Sequence, residues 1–153
     1  MTRTVLAALF VIGLNAPLMA GDLARTEPHP SLSPKAVVTI IMTALRHNDA
    51  PRTDRGIQVT FNFASPANKR ATGPLSRFIS MVKGQTYGPM IGHRSVVFEN
   101  YEINGDRARI DAVLVSANGK SFGFRFGLSR QRGNRFAGSW LTDSVVPIEV
   151  VTL

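Results

Sequence analysis

The chain has 153 residues, no cysteine, 18 Lys and Arg against 10 Asp and Glu, and a formal net charge of +8. The missing cysteine excludes a disulfide-stapled scaffold and leaves stability to the hydrophobic core. The cations are scattered, as at Arg46, Arg77, Arg109 and Arg135, which argues against a nucleic-acid partner, since such binders cluster them on one element with aromatics between.

Residues 1–20 have the layout of a secretory signal peptide. Arg3 gives a positive start, Val5 to Leu14 is apolar apart from Gly13, and Asn15, Pro17 and Ala20 precede Gly21. The expected cut falls after Ala20. The apolar run is too short to span roughly 30 Å of hydrocarbon, which takes about 20 residues. The expected product is a periplasmic or secreted protein with no stable membrane insertion after cleavage. The charge excess then reads first as solubility and second as affinity for anionic envelope surfaces or ligands. Residues 21–32, with Pro28 and Pro30, read as a flexible leader, and 33–150 as a single domain.

Ser33 is placed as an N-cap and Pro34 at the first helical position. Val37, Ile40, Ile41, Ala44 and Leu45 follow at helical spacing, so a helix is predicted from Pro34 to about His47. Asn48, Asp49 and Pro51 end it. Over 56–63, Ile57, Val59, Phe61 and Phe63 alternate as in a strand, while Ile57, Phe61 and Ala64 also fit a helix. The helix is favoured, with Ser65-Pro66 as its stop. Ala67 to Ala71 reads as a polar loop. Pro74 opens a further helix with Leu75, Phe78, Ile79 and Val82 as its apolar stripe, stopped near Gly84.

From Gln85 the period changes to that of strands. One is expected from Val96 through Ile103. A second alternates Ala108, Ile110, Ala112 and Leu114 with Arg107, Arg109, Asp111 and Val113. A third alternates Phe122, Phe124, Phe126 and Leu128 with Gly123, Arg125, Gly127 and Ser129. A fourth is expected over Phe136 to Leu141, carrying the single tryptophan, Trp140. For the central hairpin a two-residue turn would set Asp111 opposite Phe126. A three-residue loop closed by Gly119 pairs Leu114 with Phe122, Ala112 with Phe124 and Ile110 with Phe126, and sets Asp111 across from Arg125. The second register keeps the alternation and pairs the charges. Helices should cover the phenylalanine face.

Helices followed by an antiparallel meander define an α+β layer fold. A curved sheet wrapped over a long helix would make a nuclear-transport-factor-like (cystatin-like) cone with a pocket at its open end. Asn48-Asp49, Phe61-x-Phe63-Ala64-Ser65-Pro66-Ala67-Asn68, Thr72-Gly73-Pro74-Leu75-x-x-Phe78, Met81-Val82 and Tyr87-x-Pro89-Met90 carry a likeness. The chain resembles, over about Ser33 to Leu141, a bacterial and plant family classed as a domain of unknown function. The resemblance implies the cone and brings no activity.

His93, after Tyr87-x-Pro89-Met90, is the candidate base of a cone-type hydrolase or isomerase, facing a surface or loop histidine as the plainer reading. Candidate ligand-binding residues are Phe61, Phe78, Tyr87, Met90, His93, Phe124 and Trp140, because ligand sites are largely apolar with a few polar groups. Ser65 to Arg70 could hold an anion or be a solvated loop. His47 and Asp49 are read as helix termination. No metal-ligand spacing and no cofactor motif is found. Val113 and Val115 with Gly123 and Gly127 could form a flat homodimer surface, and Arg107, Arg109 and Arg125 a basic outer face for an envelope partner. The leading expectation is an exported module for a small apolar or anionic ligand. An interaction module and an enzyme using His93 follow.

Overall fold

The computed structural model describes residues 25–151. Among these residues four helices come first: α1 (Pro34–Arg46), α2 (Arg55–Asn62), α3 (Pro66–Thr72) and α4 (Leu75–Val82). A short 3-10 turn (Gly88–Met90) leads into strands β1 (Ser95–Asn104), β2 (Arg107–Val115), β3 (Ser121–Arg130) and β4 (Trp140–Ile148). The strands form one antiparallel sheet in the order β1-β2-β3-β4. It is an α+β fold with helices packed on an open sheet. The sheet does not close on itself, so the cone expected from sequence is not carried over.

α1 forms where it was expected. The Ser33 hydroxyl accepts from the Ala36 amide at 3.1 Å and Pro34 needs no donor there. Its buried residues (Ala36, Val37, Val38, Ile40, Ile41, Met42 and Leu45 among them) cover most of the helix, leaving Lys35, Thr39, Thr43 and Arg46 as a narrow outer stripe. A helix with so wide an apolar face packs on more than one neighbour, and α1 touches both the sheet and α2.

The ambiguous stretch is helical, as α2. Gly56 is the reason it can lie so close to α1. A Cβ there would fall 2.1 Å from the Ala44 carbonyl oxygen. Buried Asn48 fixes the crossing. Its carbonyl accepts from the Gly56 amide at 2.8 Å, its Oδ1 from the Ile57 amide at 3.0 Å, and its Nδ2 donates to Asp49 and Asp54. Asp54 in turn pairs with Lys83 at 2.8 Å, tying the start of α2 to the end of α4.

Two expectations are corrected. Residues 66–72 are helix, not a polar loop, because Ser65 caps the Asn68 amide and Pro66 pre-sets the first turn. The last strand begins at Trp140 and runs to Ile148 rather than occupying Phe136 to Leu141. Asn134 holds the preceding segment as a turn, with Oδ1 accepting from the Phe136 amide at 2.8 Å, and Gly138 takes φ 84. Pro147 is tolerated because β4 is an edge strand. The leader is engaged at its end: Leu32 is buried in the core, and Asn62 Nδ2 donates to the Thr26 carbonyl at 3.0 Å. Residues 1–20, expected to be a signal peptide, lie outside the described residues.

The central hairpin has the register chosen from charge and alternation. Leu114 pairs with Phe122, Ala112 with Phe124, Ile110 with Phe126, and Asp111 with Arg125. Phe124 and Phe126 are fully buried beneath the helices. β1 pairs with β2 through a bulge at Asn100, whose φ of 49 lets Nδ2 reach Asp111 at 2.9 Å.

Candidate functional site: a cavity between the helices and β4

Among the described residues, the helices and β4 enclose a mainly apolar cavity of about 260 Å³. Its floor is Ile41 and Leu45 of α1 with Phe126 of β3. Thr60 of α2, Asn68, Ala71 and Thr72 of α3, and Phe78, Met81 and Val82 of α4 form one side. Tyr87, Met90 and the β4 run Thr142 to Val145 form the other. Apolar cavities of about 150 Å³ accept a benzene-sized guest. This one has room for on the order of ten carbons on that scale.

The Phe63-Ala64-Ser65-Pro66 and Tyr87-Gly88-Pro89-Met90 runs build these walls. Ala64 makes a parallel bridge to Thr142. The Thr142 amide donates to the Phe63 carbonyl and the Ser65 amide to the Thr142 carbonyl, both at 2.8 Å. Asn68 Nδ2 adds a bond to the same Thr142 carbonyl at 3.1 Å, and the Thr142 hydroxyl donates to the Phe63 carbonyl at 3.1 Å. The Phe-Ala-Ser-Pro segment therefore stitches the helical half to the edge of β4. The Tyr-x-Pro-Met segment closes the far side. Tyr87 donates its hydroxyl to the Val145 carbonyl at 3.0 Å and stacks on Phe124 at 6.2 Å.

Of the expected ligand-binding residues, Phe78, Tyr87 and Met90 line this cavity. Phe61, His93, Phe124 and Trp140 are absent from its wall. Phe61 packs behind it on Phe78 at 5.0 Å, and Trp140 lies under the Arg130 guanidinium. His93 is buried, and its Nδ1 donates to the Met90 carbonyl at 2.8 Å. Burial holds the imidazole below its ordinary pKa, with Arg46 and His47 adding to the effect against that hydrogen bond. It is a core histidine. Thr142 to Val145, Ile41, Leu45 and Thr72 were missed. The signal for the first set was the β-branched run Val145-Val146-Pro147-Ile148, which reads as an edge strand.

The other candidates have structural employment. The Ser65 hydroxyl caps α3, and Lys69 lies over Phe61 and Phe136 at 5.4 and 5.5 Å. Asp49 accepts from the Asp54 amide. Arg109 pairs with Glu102 and Arg125 with Asp111, so much of the basic outer face is neutralised. The glycine gaps beside Val113 are filled from β4: a Cβ on Gly123 would meet Ile148, and one on Gly127 would meet Ser144. Among the described residues no three His, Asp or Glu gather as a metal site, and no helix is long and apolar enough to cross a membrane.

Asp111 contributes to stability against acid. It is buried, accepts from Arg125 Nε at 2.7 Å and Nη2 at 2.8 Å, and holds Asn100. Arg125 first, against the cost of burial, lowers its pKa below the ordinary carboxylate value. In the unfolded chain Asp111 therefore binds its proton at higher pH, and stability falls as pH drops from about 4 through the folded pKa. Asp111→Ala is expected to cost about 2 kcal/mol at pH 7. That is less than breaking a fully buried pair costs, because the Arg125 left behind reaches water. Urea midpoints at pH 7 and pH 3 check this: the variant's deficit should be large at pH 7 and shrink at pH 3.

The fold and cavity define an α+β domain whose helices and edge strand enclose a small apolar site. Residues 31–150 match the family described as Domain of unknown function (DUF4864), and the chain belongs to that family. No curated protein and no solved structure matches it.

Proposed function

We propose that this is an exported protein whose domain binds a small, mainly apolar molecule in the cavity between the helices and β4. The observation that carries the reading is the cavity's lining: Leu45, Phe78, Met81, Val82, Met90 and Phe126 face a hollow of about 260 Å³. Its polar neighbours are largely spent on the frame, as Tyr87 is on Val145 and Thr72 on the Asn68 carbonyl. That is the composition of a binding pocket rather than of a catalytic centre. With His93 buried away from the wall, no acid–base pair supports the hydrolase or isomerase reading. The pairing of Arg109 and Arg125 with acids weakens the basic outer face as a docking surface. Export rests on the charged, apolar and small-residue pattern of residues 1–20.

The test is a titration of the labelled protein with 4-phenylbutan-1-ol, followed by amide NMR. The alcohol should bind with a Kd on the order of 1–100 μM and shift the amides of Thr72, Val82, Thr142 and Val145. Ala71 is exposed and lies on the cavity wall, so Ala71→Trp should block entry, abolish the shifts and leave the fold intact. Shifts spread elsewhere, or unchanged in Ala71→Trp, would contradict the site.

A further inference from the structure

The register of β4 contains a second observation about this cavity. Ser144 pairs with Gly127 and Thr142 with Leu128, so Asp143 has no cross-strand partner and is the extra residue of a β-bulge. Bulges re-aim a side chain and are enriched next to functional sites. This one is held in place, because Thr142 is bonded to Phe63, Ser65 and Asn68. Asp143 is the one charged residue on the cavity wall among the described residues. It makes no hydrogen bond or ion pair there, whereas Asp49, Asp54, Glu102, Asp106 and Asp111 are all engaged.

We propose that the cavity selects an amphipathic amine, with the apolar body inside and the ammonium donating to the Asp143 carboxylate at the mouth. This rests on the cavity reading above and narrows it. The wall carries no Lys, Arg or His to hold an anion, and a guest carboxylate would meet Asp143 instead. The net charge of +8 does not decide the matter, because at physiological salt its field is screened beyond about 8 Å. The contact at the mouth is short-range.

Three probes of one shape test this by calorimetry: 4-phenylbutylamine, 4-phenylbutan-1-ol and 4-phenylbutyrate. The amine should bind about fivefold to tenfold more tightly than the alcohol, a modest margin because Asp143 is exposed. The carboxylate should bind more weakly than the alcohol. Asp143→Asn should erase the amine's advantage over the alcohol and leave the melting temperature unchanged. Equal affinity of amine and alcohol, or an amine preference that survives Asp143→Asn, overturns the amine assignment while the cavity reading stands. Failure of all three to bind at millimolar concentration overturns both.

Discussion

Gly56→Ala is expected to lower stability by about 3 kcal/mol or more, among the largest effects a single methyl can have. On the unfolded chain alone, Gly to Ala in a helix should stabilise by about 0.4–1 kcal/mol. The packing reverses the sign. The added Cβ would lie 2.1 Å from the Ala44 carbonyl oxygen, 2.7 Å from its carbon and 2.8 Å from Asn48 Cα. All three are backbone atoms, so no rotamer change relieves them. Moving α2 away would also stretch the Asn48 bonds to the Gly56 and Ile57 amides, at 2.8 and 3.0 Å. Gly88→Ala is the matched control. Its nearest neighbour is the Lys83 carbonyl oxygen at 3.5 Å, ordinary contact, and the change should stay within about 1 kcal/mol. Urea unfolding of both variants decides it, and similar midpoints would contradict the close crossing of α1 and α2.

Phe126→Ala should cost about 3–5 kcal/mol. Phe126 is fully buried, sits between Ile110 and Val145 across the sheet, and walls the cavity. The hole it leaves would join an existing hollow, and walls tied at Thr142 and Tyr87 cannot collapse into it. The upper half of the range is therefore expected. Phe122→Ala, two steps along the same face but only half-buried, should cost about 1 kcal/mol on lost area alone. Guanidinium unfolding with equal m-values would give the comparison. Equal losses would mean that the helices do not seal the Phe126 end of the sheet.

The sheet was legible because alternation and charge pairing are local tests that reinforce each other. One register satisfied Leu114–Phe122, Ala112–Phe124, Ile110–Phe126 and Asp111–Arg125 together, and it is the one found. α1 was legible because its cap, its leading proline and its period agreed. The misread segments lack such agreement. Residues 66–72 have no apolar stripe and no buried residue, so their helix comes from Ser65, Pro66 and the bridge to Thr142. The expected strand at Phe136 had aromatics but also Asn134 and Gly138, whose turn geometry prevailed. The site was half legible. Phe78, Tyr87 and Met90 stand near one another in sequence, from α4 to the turn before the first strand. Ile41 and Asp143 reach the same cavity only through the packing of α1 and the bulge in β4, which no single-segment pattern contains. Aromatic richness misled at Phe124 and Trp140, which are core.

The most direct test of the central claim is native mass spectrometry of the protein as purified from its own host, beside Ala71→Trp prepared the same way. The account predicts a small-molecule adduct on the native protein, released on gentle activation and missing from the variant. Bare masses for both proteins, or an adduct that persists in Ala71→Trp, would contradict a ligand held in this cavity.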